Sequence, residues 1–535
     1  MPRGNIERAP RVFYLRARGP RPTACVPGPG VAMAEAHASS ESFWVATAPD
    51  AAFAALSGDV SVDVAIVGGG MVGLTAAALL KREGRRVAVI EARRVGRQAT
   101  GRSTAKLTSQ HATIYAQLLR THGRDGARSY AEANQAAIEC VAGLVNDLGI
   151  DCDFERRSAY VFTRSDDKLK LLESETEAAR GLGLPAELLR DVSLPFPVRC
   201  AMRFTGQAQL HPCKYLVGLA RFVDGDGSHV FESTRAQDAE SGAPMRVRME
   251  HGTVTARDVI VATHLPVTGH GMYFAKAYPH SQPILAAPID PAVAPDGMFI
   301  SVDTPTLSVL RTHHEGRTYL IAAGGHTKPG HADELLQSLA DLERSVRADF
   351  DVGQVSHRWT NHDYLPMDRV PFVGRPSSGD PHLFVATGFH GWGLSNGTAA
   401  AMILAEAIAG RPSPWAALFD AGRVKPVASA PAFVAENVQV AKHLVAGYLA
   451  RRPRSAAELG PGEAAVIDSD GGKIAAYRDQ AGTVHQVSAV CTHMKCVVGW
   501  NPIARSWDCP CHGSRFEPDG AVIAGPAVSP LPKRG

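Results

Sequence analysis

The C-terminal part of the sequence concentrates cysteine and histidine side chains. Four of the nine cysteines fall within twenty-one residues, in the patterns Cys491-x-His493 and Cys509-x-x-His512. Thiolates and imidazoles on two short segments suit zinc or an iron–sulfur cluster. A mixed cysteine–histidine pair on each segment fits zinc-finger spacing poorly. It fits a 2Fe–2S cluster in which two cysteines hold one iron and two histidines hold the other.

These motifs, with fifteen residues between His493 and Cys509, resemble the Rieske family over residues 462–535. The resemblance implies a covering loop at Gly525-Pro526-Ala527 and histidine ligands that face solvent, where electrons leave the cluster. Lys495 departs from the family pattern, which has glycine there. The ligands that the resemblance implies are Cys491, His493, Cys509 and His512, with a disulfide between Cys496 and Cys511.

A second motif, Gly68-x-Gly70-x-x-Gly73, lies in the N-terminal half. It follows an apolar stretch and leads into an alanine-rich stretch, which predicts a strand, a tight turn and a helix. Glycines in such a turn let the backbone approach a pyrophosphate at the helix N-terminus. Glu91 ends the next predicted strand, where an acid accepts a hydrogen bond from a ribose hydroxyl. Together these features predict a dinucleotide site.

Two further segments indicate which dinucleotide is bound. One runs from Ala99 to Thr104, and the other runs from Phe384 to Gly393, ahead of an alanine-rich stretch. They resemble the FAD-dependent oxidoreductase family of D-amino-acid, glycine and sarcosine oxidases, over residues 60–411. The resemblance implies bound FAD. With the glycine turn, it implies the following cofactor-binding residues: Gly68, Gly70, Gly73, Glu91, Thr100, Gly101, Ser103, Thr104, Thr263, Gly388, Gly391 and Gly393.

The sequence indicates a catalytic role for few residues. His390 and Trp392 are candidates to line a substrate pocket, although simple packing explains His390 equally well. Arg311, with His313 and His314, is a candidate to bind an anionic substrate, and a solvated hairpin is the other explanation. Since the cofactor supplies the difficult chemistry, no catalytic base is predicted. Three side chains are expected close to the cofactor because they follow the second flavin segment: Lys106, Gln110 and His111.

Ser395 bears on the substrate. It stands two residues after Gly393, where the resemblance to sarcosine-type oxidases implies a lysine that pairs with the substrate carboxylate. Because serine cannot supply that charge, an α-carboxylate substrate is not expected here. A small, amine-like organic substrate is expected instead.

The elements that must position these residues divide the sequence into four parts. Residues 1–41 are predicted to be a disordered tail. Residues 42–423 alternate apolar strands with alanine-rich helices, which predicts an α/β FAD-binding domain; the resemblance implies a Rossmann-like, glutathione-reductase-type fold with a β-rich substrate subdomain. Residues 424–461 are predicted to be a linker with a helix. Residues 462–535 show short strands and hairpin turns, which predict a small all-β Rieske domain.

Composition excludes several classes of protein. The net charge of +3 does not suit a nucleic-acid-binding surface or a polybasic membrane face. The uncharged stretch 64–80 contains four glycines and fits a strand–turn–helix better than a membrane span, so no integral membrane segment is predicted. Met33 is an alternative start. We expect a cytoplasmic protein, with peripheral membrane contact left open.

The sequence therefore predicts two redox centres in one chain. We expect a small organic substrate to be oxidised with FAD, and electrons to pass singly through the Rieske cluster to an acceptor protein or a quinone. The alternative is an electron-transfer or redox-sensing protein that turns over no small molecule. A Rieske oxygenase is not expected, because such enzymes place a mononuclear iron domain after the cluster domain.

Overall fold

The computed structural model describes residues 38–266, 270–377, 379–423, 455–469 and 471–534. The helices in these ranges are α1 Phe43–Ala46, α2 Met71–Arg82, α3 Tyr115–Asp147, α4 Leu169–Gly181, α5 Pro212–Val223, α6 Tyr273–Lys276, α7 Ala332–Asp349, α8 Ser395–Ala409 and α9 Ala416–Phe419. The first strands are β1 Val60–Val67, β2 Val87–Ile90, β3 Lys106–Leu107, β4 Glu155–Thr163, β5 Ala186–Leu189, β6 Cys200–Gln209, β7 His229–Phe231 and β8 Asp238–Glu240.

The remaining strands complete the two large sheets and the C-terminal domain. Those of the large sheets are β9 Met245–Met249, β10 Gly252–Val261, β11 Ala277–Pro288, β12 Met298–Ser301, β13 Ser308–His314, β14 Arg317–Ala323, β15 His357–Pro366, β16 Phe372–Gly374 and β17 Leu383–Thr387. Those of the C-terminal domain are β18 Ala464–Ser469, β19 Gly472–Arg478, β20 Val484–Ser488, β21 Gly499–Asn501, β22 Ser506–Asp508, β23 Arg515–Phe516 and β24 Val522–Ala524.

A largely parallel sheet of order β16-β17-β10-β1-β2-β7 forms the centre of the N-terminal domain. Residues 64–67 of β1 are buried, as expected for a strand with apolar layers on both faces of the sheet. The alanine-rich helices α2 and α8 pack against each other on one face. Because β1, β2 and β10 are parallel, their carboxyl ends meet at one edge and bring Gly68, Glu91 and Thr263 together.

A nine-stranded mixed sheet of order β15-β11-β14-β13-β12-β4-β6-β3, with β5 on β6, forms the predicted β-rich region. Its longest antiparallel pair joins β11 to β15 over ten residue pairs. His280 of β11 pairs with Asp363 of β15 on one face of the sheet, whereas His362, which pairs with Ser281, lies on the opposite face. β15 thus places the polar residues His362 and Asp363 near the open edge of the parallel sheet.

The C-terminal domain is all-β, as predicted. A three-stranded sheet β18-β19-β20 and a four-stranded sheet β21-β22-β23-β24 enclose one core. The predicted hairpins are present, since β18 pairs with β19 and β19 with β20. β20 ends at Ser488, and the isolated bridge between Val490 and Val497 begins the first metal-binding loop.

Two predicted segments lie partly or wholly outside the described residues. Residues 424–454 of the predicted linker lie outside them, as do residues 1–37 of the predicted tail. The tail prediction is wrong for its last residues. The Ser39 N–H donates to the Ser356 carbonyl at 2.9 Å and its own carbonyl accepts from the Arg358 N–H at 2.8 Å. Across the described ranges, no helix combines the length and hydropathy that crossing a membrane requires.

Candidate flavin and iron–sulfur sites

The metal-binding motifs occupy two adjacent loops of the C-terminal domain. Cys491 lies in the loop before β21, and Cys509 directly follows β22. Each loop closes on itself, since the Cys491 N–H donates to the Cys496 carbonyl and the Cys509 N–H to the Ser514 carbonyl, both at 2.8 Å. The predicted disulfide between Cys496 and Cys511 is present and ties the loops together.

The two ligand thiols lie side by side. A side-chain hydrogen bond with Cys509 lowers the pKa of Cys491 to about 7, and the backbone amide of His493 and the Ser514 hydroxyl add to this effect. An acidified thiol suits metal binding, because the thiolate is the ligand form. The His512 Nδ1 atom is buried without a hydrogen-bond partner. This donor set fits a Rieske-type 2Fe–2S cluster.

The histidine ligands contact the flavin domain. The ring of Phe274, in α6, lies 5.1 Å from the His493 ring and 5.2 Å from the His512 ring, measured between centroids. His512 is only 5% exposed, while His493 is half-buried. The expectation that both histidines face solvent is therefore wrong for His512, because the N-terminal domain covers it.

The glycine turn has the conformation that a pyrophosphate site requires. Gly68 has φ of +117°, and a Cβ added there would lie 2.5 Å from the Ala262 carbonyl oxygen. α2 starts directly after Gly70, and the Met71 N–H donates to Thr100 Oγ1 at 3.2 Å. The Glu91 carboxylate accepts hydrogen bonds from the Gly69 and Arg93 N–H groups. The turn, the helix N-terminus and the acid converge on one cavity, and this arrangement fits FAD.

Nine of the twelve predicted cofactor residues line that cavity, namely Gly68, Gly70, Glu91, Thr100, Ser103, Thr104, Thr263, Gly391 and Gly393. The other three are glycines that permit close packing. A Cβ at Gly73 would lie 1.9 Å from the Gly68 oxygen, and one at Gly101 would lie 2.1 Å from the Gly96 oxygen. A Cβ at Gly388 would lie 2.6 Å from Pro366.

The predicted catalytic residues are not brought together. Trp392 lines the cavity and stacks on His111, with ring centroids 4.7 Å apart. His390 and Arg311 are not among the described residues that line it. Burial lowers the pKa of His390 to about 3, which keeps the ring neutral. The Arg311 guanidinium lies 3.2 Å from the Asp296 carboxylate, and this ion pair accounts for its charge.

Of the three side chains expected near the cofactor, Lys106 lines the cavity and the other two do not. The Lys106 ammonium group donates to the Phe299 carbonyl and the Ser308 hydroxyl. Burial lowers the pKa of Lys106 to about 7. Gln110 donates to the Met202 carbonyl, and both ring nitrogens of His111 have partners.

Several cavity residues were missed by the sequence analysis. His264, His362, Asp363 and Tyr364 line one wall. The Asp363 carboxylate accepts from the Tyr364 N–H at 2.7 Å and from the Gly391 N–H, and burial raises its pKa. The available signal was the set of polar residues in the strand 357–366, whose side chains are partly buried.

The Rieske domain completes the cavity. Tyr364 lines it from the flavin domain, and its hydroxyl lies 3.2 Å from the His512 carbonyl and 3.3 Å from the Gly525 carbonyl. These carbonyls belong to a cluster ligand and to the predicted covering loop. The flavin cavity and the cluster loops therefore share one wall. Its residues from the Rieske domain are Gly513, Arg515, Ile523, Ala524 and Gly525.

The fold and the two sites define a flavin-dependent oxidoreductase with an attached iron–sulfur domain. The family model "FAD dependent oxidoreductase" matches residues 63–407, and the model "Rieske [2Fe-2S] domain" matches residues 453–534. The chain belongs to the FAD-dependent oxidoreductase family and carries a C-terminal Rieske domain. Its cofactors are FAD and a 2Fe–2S cluster.

Relatives share either the whole arrangement or the flavin domain alone. YhfW of Bacillus subtilis, whose name describes a Rieske 2Fe-2S iron-sulfur protein, is 33% identical over 93% of this chain and 98% of its own length. Gamma-glutamylputrescine oxidoreductase of Escherichia coli is 25% identical over 69% of this chain and 89% of its own. The crystal structure of glycine oxidase from Geobacillus kaustophilus has a TM-score of 0.56 at 18% identity. It covers 68% of this chain and 99% of its own.

Proposed function

We propose that this oxidoreductase oxidises a small, amine-like organic substrate and releases the electrons singly, through the Rieske centre, to an acceptor protein or a quinone. When bound, FAD accepts electrons in pairs from a substrate, and a 2Fe–2S cluster carries them one at a time. The observation that carries the proposal is Tyr364, which lines the flavin cavity and hydrogen-bonds to the backbone of the cluster ligand His512.

The local charge beside the flavin-edge segment supports an amine as substrate. Asp363 and Glu91 are the carboxylates among the described residues that line it. Glu91 lies beside the glycine turn, whereas Asp363 lies beside Gly391 in the flavin-edge segment. A buried carboxylate at that position favours a cationic substrate over an anionic one. The related Escherichia coli enzyme is named for an amine substrate, gamma-glutamylputrescine.

The surroundings of Ser395 argue in the same direction. Its hydroxyl lies 2.9 Å from His111 Nε2, and its side chain is buried. Since burial lowers the pKa of His111 to about 3, neither residue provides a cation for a substrate carboxylate. An α-amino acid would therefore lack a charged partner at this point.

The surface beside the cluster supports transfer to an external acceptor. Met494 and Val528 are each 50% exposed, and Met272 is 60% exposed. Met494 directly follows the half-buried ligand His493, and the Thr492 hydroxyl donates to the Ser529 carbonyl at 2.6 Å, which holds the two loops together. An apolar rim next to a metal ligand suits a transient contact with a redox partner.

The test is an anaerobic screen of amines against the fully loaded protein, with matched carboxylic acids that lack the amino group as controls. We expect an active amine to bleach the flavin absorbance and to produce the EPR signal of the reduced cluster in the same sample. Bleaching without the EPR signal would contradict transfer within the chain. If no amine bleaches the flavin, the redox-sensing alternative replaces the enzyme.

A further inference from the structure

The cavity that receives FAD has an excess of positive charge at the junction of the two domains. Four arginines line it, Arg94, Arg102, Arg235 and Arg515, compared with two carboxylates. Arg515 belongs to the Rieske domain and follows the second metal-binding loop at the start of β23. A dinucleotide cavity in which one domain supplies the glycine turn and another supplies a cation differs from a site built on one Rossmann unit.

Among these four arginines, Arg102 has two buried nitrogen atoms that the protein leaves unsatisfied. Its Nε and Nη1 atoms are buried and have no hydrogen-bond partner. Burial, together with the neighbouring charges of Arg515 and Arg93, lowers the pKa of Arg102 to about 10. Arg515 and Arg93 have carboxylate partners of their own, Asp508 and Glu517, whereas these two buried nitrogen atoms of Arg102 are left without hydrogen bonds, which is unfavourable. An anionic ligand would relieve both the missing hydrogen bonds and the repulsion.

Arg515 is held in a fixed orientation for such a role. It is 5% exposed, and its Nε and Nη2 atoms donate to the Asp508 carboxylate and the Ser506 hydroxyl, both at 3.2 Å. Asp508 in turn lies 3.3 Å from the Nε2 atom of His362, across the domain junction. A positioned guanidinium loses little conformational entropy when it binds an anion.

The helix N-terminus places the anion on the same side of the cavity. The diphosphate of a dinucleotide lies at the N-terminus of the helix after the glycine turn, here Met71. The Met71 N–H contacts Thr100, and Arg102 follows Thr100 by two residues. Within FAD, the diphosphate is the group with the charge to match these arginines.

We propose that Arg515 of the Rieske domain, together with Arg102, is a FAD-binding residue that contacts the diphosphate, so that both domains form the flavin site. Loading of FAD then depends on docking of the Rieske domain. FAD in turn holds that domain in place, because a ligand that binds only the docked form stabilises it.

The test is titration of the flavin-free, full-length protein with FAD, followed by flavin fluorescence. Because hydrogen bonds between charged groups are stronger than those between neutral groups, Arg515→Met should raise the Kd for FAD at least about tenfold, which corresponds to about 1.4 kcal/mol. Arg102→Met should have a similar effect. Arg505→Met, an exposed arginine of the same domain, is the matched control and should leave the Kd unchanged. The EPR signal of the cluster reports whether each variant keeps the Rieske fold.

A second measurement does not depend on any variant. Hydrogen–deuterium exchange of the wild-type protein should slow in peptides covering residues 513–525 when FAD is added. Such protection shows contact or closure at the Rieske side of the cavity. A Kd for Arg515→Met within twofold of wild type, with the cluster intact, would overturn the proposal. If Arg515→Met loses its cluster, the wild type decides: hydrogen–deuterium exchange at residues 513–525 that does not change when FAD is added would overturn the proposal.

Discussion

Some residues of this protein make room for a cofactor, and others allow the fold to pack. The glycine turn contains both kinds. A Cβ at Gly70 would meet nothing closer than Thr100 Oγ1 at 3.4 Å, whereas a Cβ at Gly73 would overlap the Gly68 carbonyl. Gly70 therefore keeps space open for the ligand, and Gly73 lets α2 approach β1. The two positions give a matched pair of variants.

Gly70→Val should fold, keep the cluster and lose FAD, because the side chain projects into the space that the pyrophosphate needs. Gly73→Ala should instead destabilise the whole protein, by about 1 to 3 kcal/mol or more, since backbone must move to admit the methyl group. Absorbance of the bound flavin and thermal unfolding separate the two effects. Stoichiometric FAD in purified Gly70→Val would contradict the assignment of the pyrophosphate site.

Lys106 predicts a pH dependence of stability. Its pKa is about 7 in the folded protein and near its ordinary value of 10.4 when unfolded. Between these values the unfolded chain binds more protons, so stability rises with pH. Below pH 7 the penalty for burying the charge is complete, and above about pH 10.4 it is absent.

Lys106→Met should remove this increase of stability with pH. From about pH 7 to pH 9.5 the free energy of unfolding of the wild type should increase by about 3 kcal/mol relative to the variant. Denaturant unfolding at several pH values measures the difference. Parallel pH profiles for the two proteins would mean that Lys106 stays protonated in the fold.

We expect the Ser514 hydroxyl to raise the reduction potential of the cluster. Its oxygen accepts a hydrogen bond from the Ala527 N–H at 3.0 Å, and its hydroxyl hydrogen-bonds to the Cys491 thiolate. Hydrogen bonds to cluster sulfur stabilise the more negative, reduced state and raise the potential. Ser514→Ala should therefore lower the potential.

Phe516 is the matched position. Phe516 is fully buried in the same core as the ligand cysteines, so a hydroxyl group added to its ring would lie within that core. Phe516→Tyr should raise the potential by adding a donor. Protein-film voltammetry measures both variants. An unchanged potential in both would show that neither hydroxyl reaches the sulfur atoms.

Among the elements, β15 does the most to join the two centres. It lies at the edge of the nine-stranded sheet, and its last residues contact both the flavin cavity and the Rieske domain. His362, Asp363 and Tyr364 follow one another along it, yet each faces a different partner. They contact Asp508 of the Rieske domain, the Gly391 amide and the His512 carbonyl respectively.

Tyr364→Phe removes the hydroxyl that bonds to the His512 and Gly525 carbonyls and keeps the ring. The hydroxyl has one hydrogen, which the two carbonyls share, so its loss should weaken the contact by about 1 kcal/mol. We expect substrate to bleach the flavin at the wild-type rate and the cluster EPR signal to appear more slowly. Rapid mixing with freeze-quench sampling separates the two rates. Equal slowing of both would indicate a general loss of structure instead.

At the scale of the whole molecule, the Rieske domain docks through charged and apolar contacts on several sides. Arg93 pairs with Glu517, and the Arg235 guanidinium donates to the Val522 carbonyl at 2.8 Å. On the far side, Ile503 packs against Leu335 and Leu339 of α7. The spread of these contacts predicts that the two domains unfold together.

The ion pair between Arg93 and Glu517 tests this docking. Glu517→Arg should weaken it and bring an earlier unfolding phase that includes loss of the cluster absorbance. Adding Arg93→Glu should restore the wild-type behaviour by reversing both charges. Because both side chains are about one-third exposed, the coupling energy should be about 0.5 to 1 kcal/mol. Additive effects of the two changes in calorimetry would show that the pair does not couple the domains.

Local spacing determined much of this protein. The metal-binding motifs, the glycine turn and the alternation of strands and helices depend on residues close together in sequence, so their chemistry could be predicted directly, whereas the disulfide pair was implied by the resemblance to the Rieske family. The same holds for the hairpins of the Rieske domain, where turn residues set the pairing. The glycines predicted the turn. The sequence alone could not show that Gly70 leaves room for a ligand whereas Gly73 leaves room for a strand.

Only the tertiary structure decided how the two centres meet. His512 was expected to face solvent, and Phe274 covers it, because the contact joins residues more than two hundred positions apart. Arg311 looked like a substrate-binding residue until the fold paired it with Asp296. The sequence around Arg515 and around Tyr364 contains no motif that predicts that the two residues line the same cavity. Contacts between domains depend on the shapes and charges of whole surfaces, and no short motif encodes these.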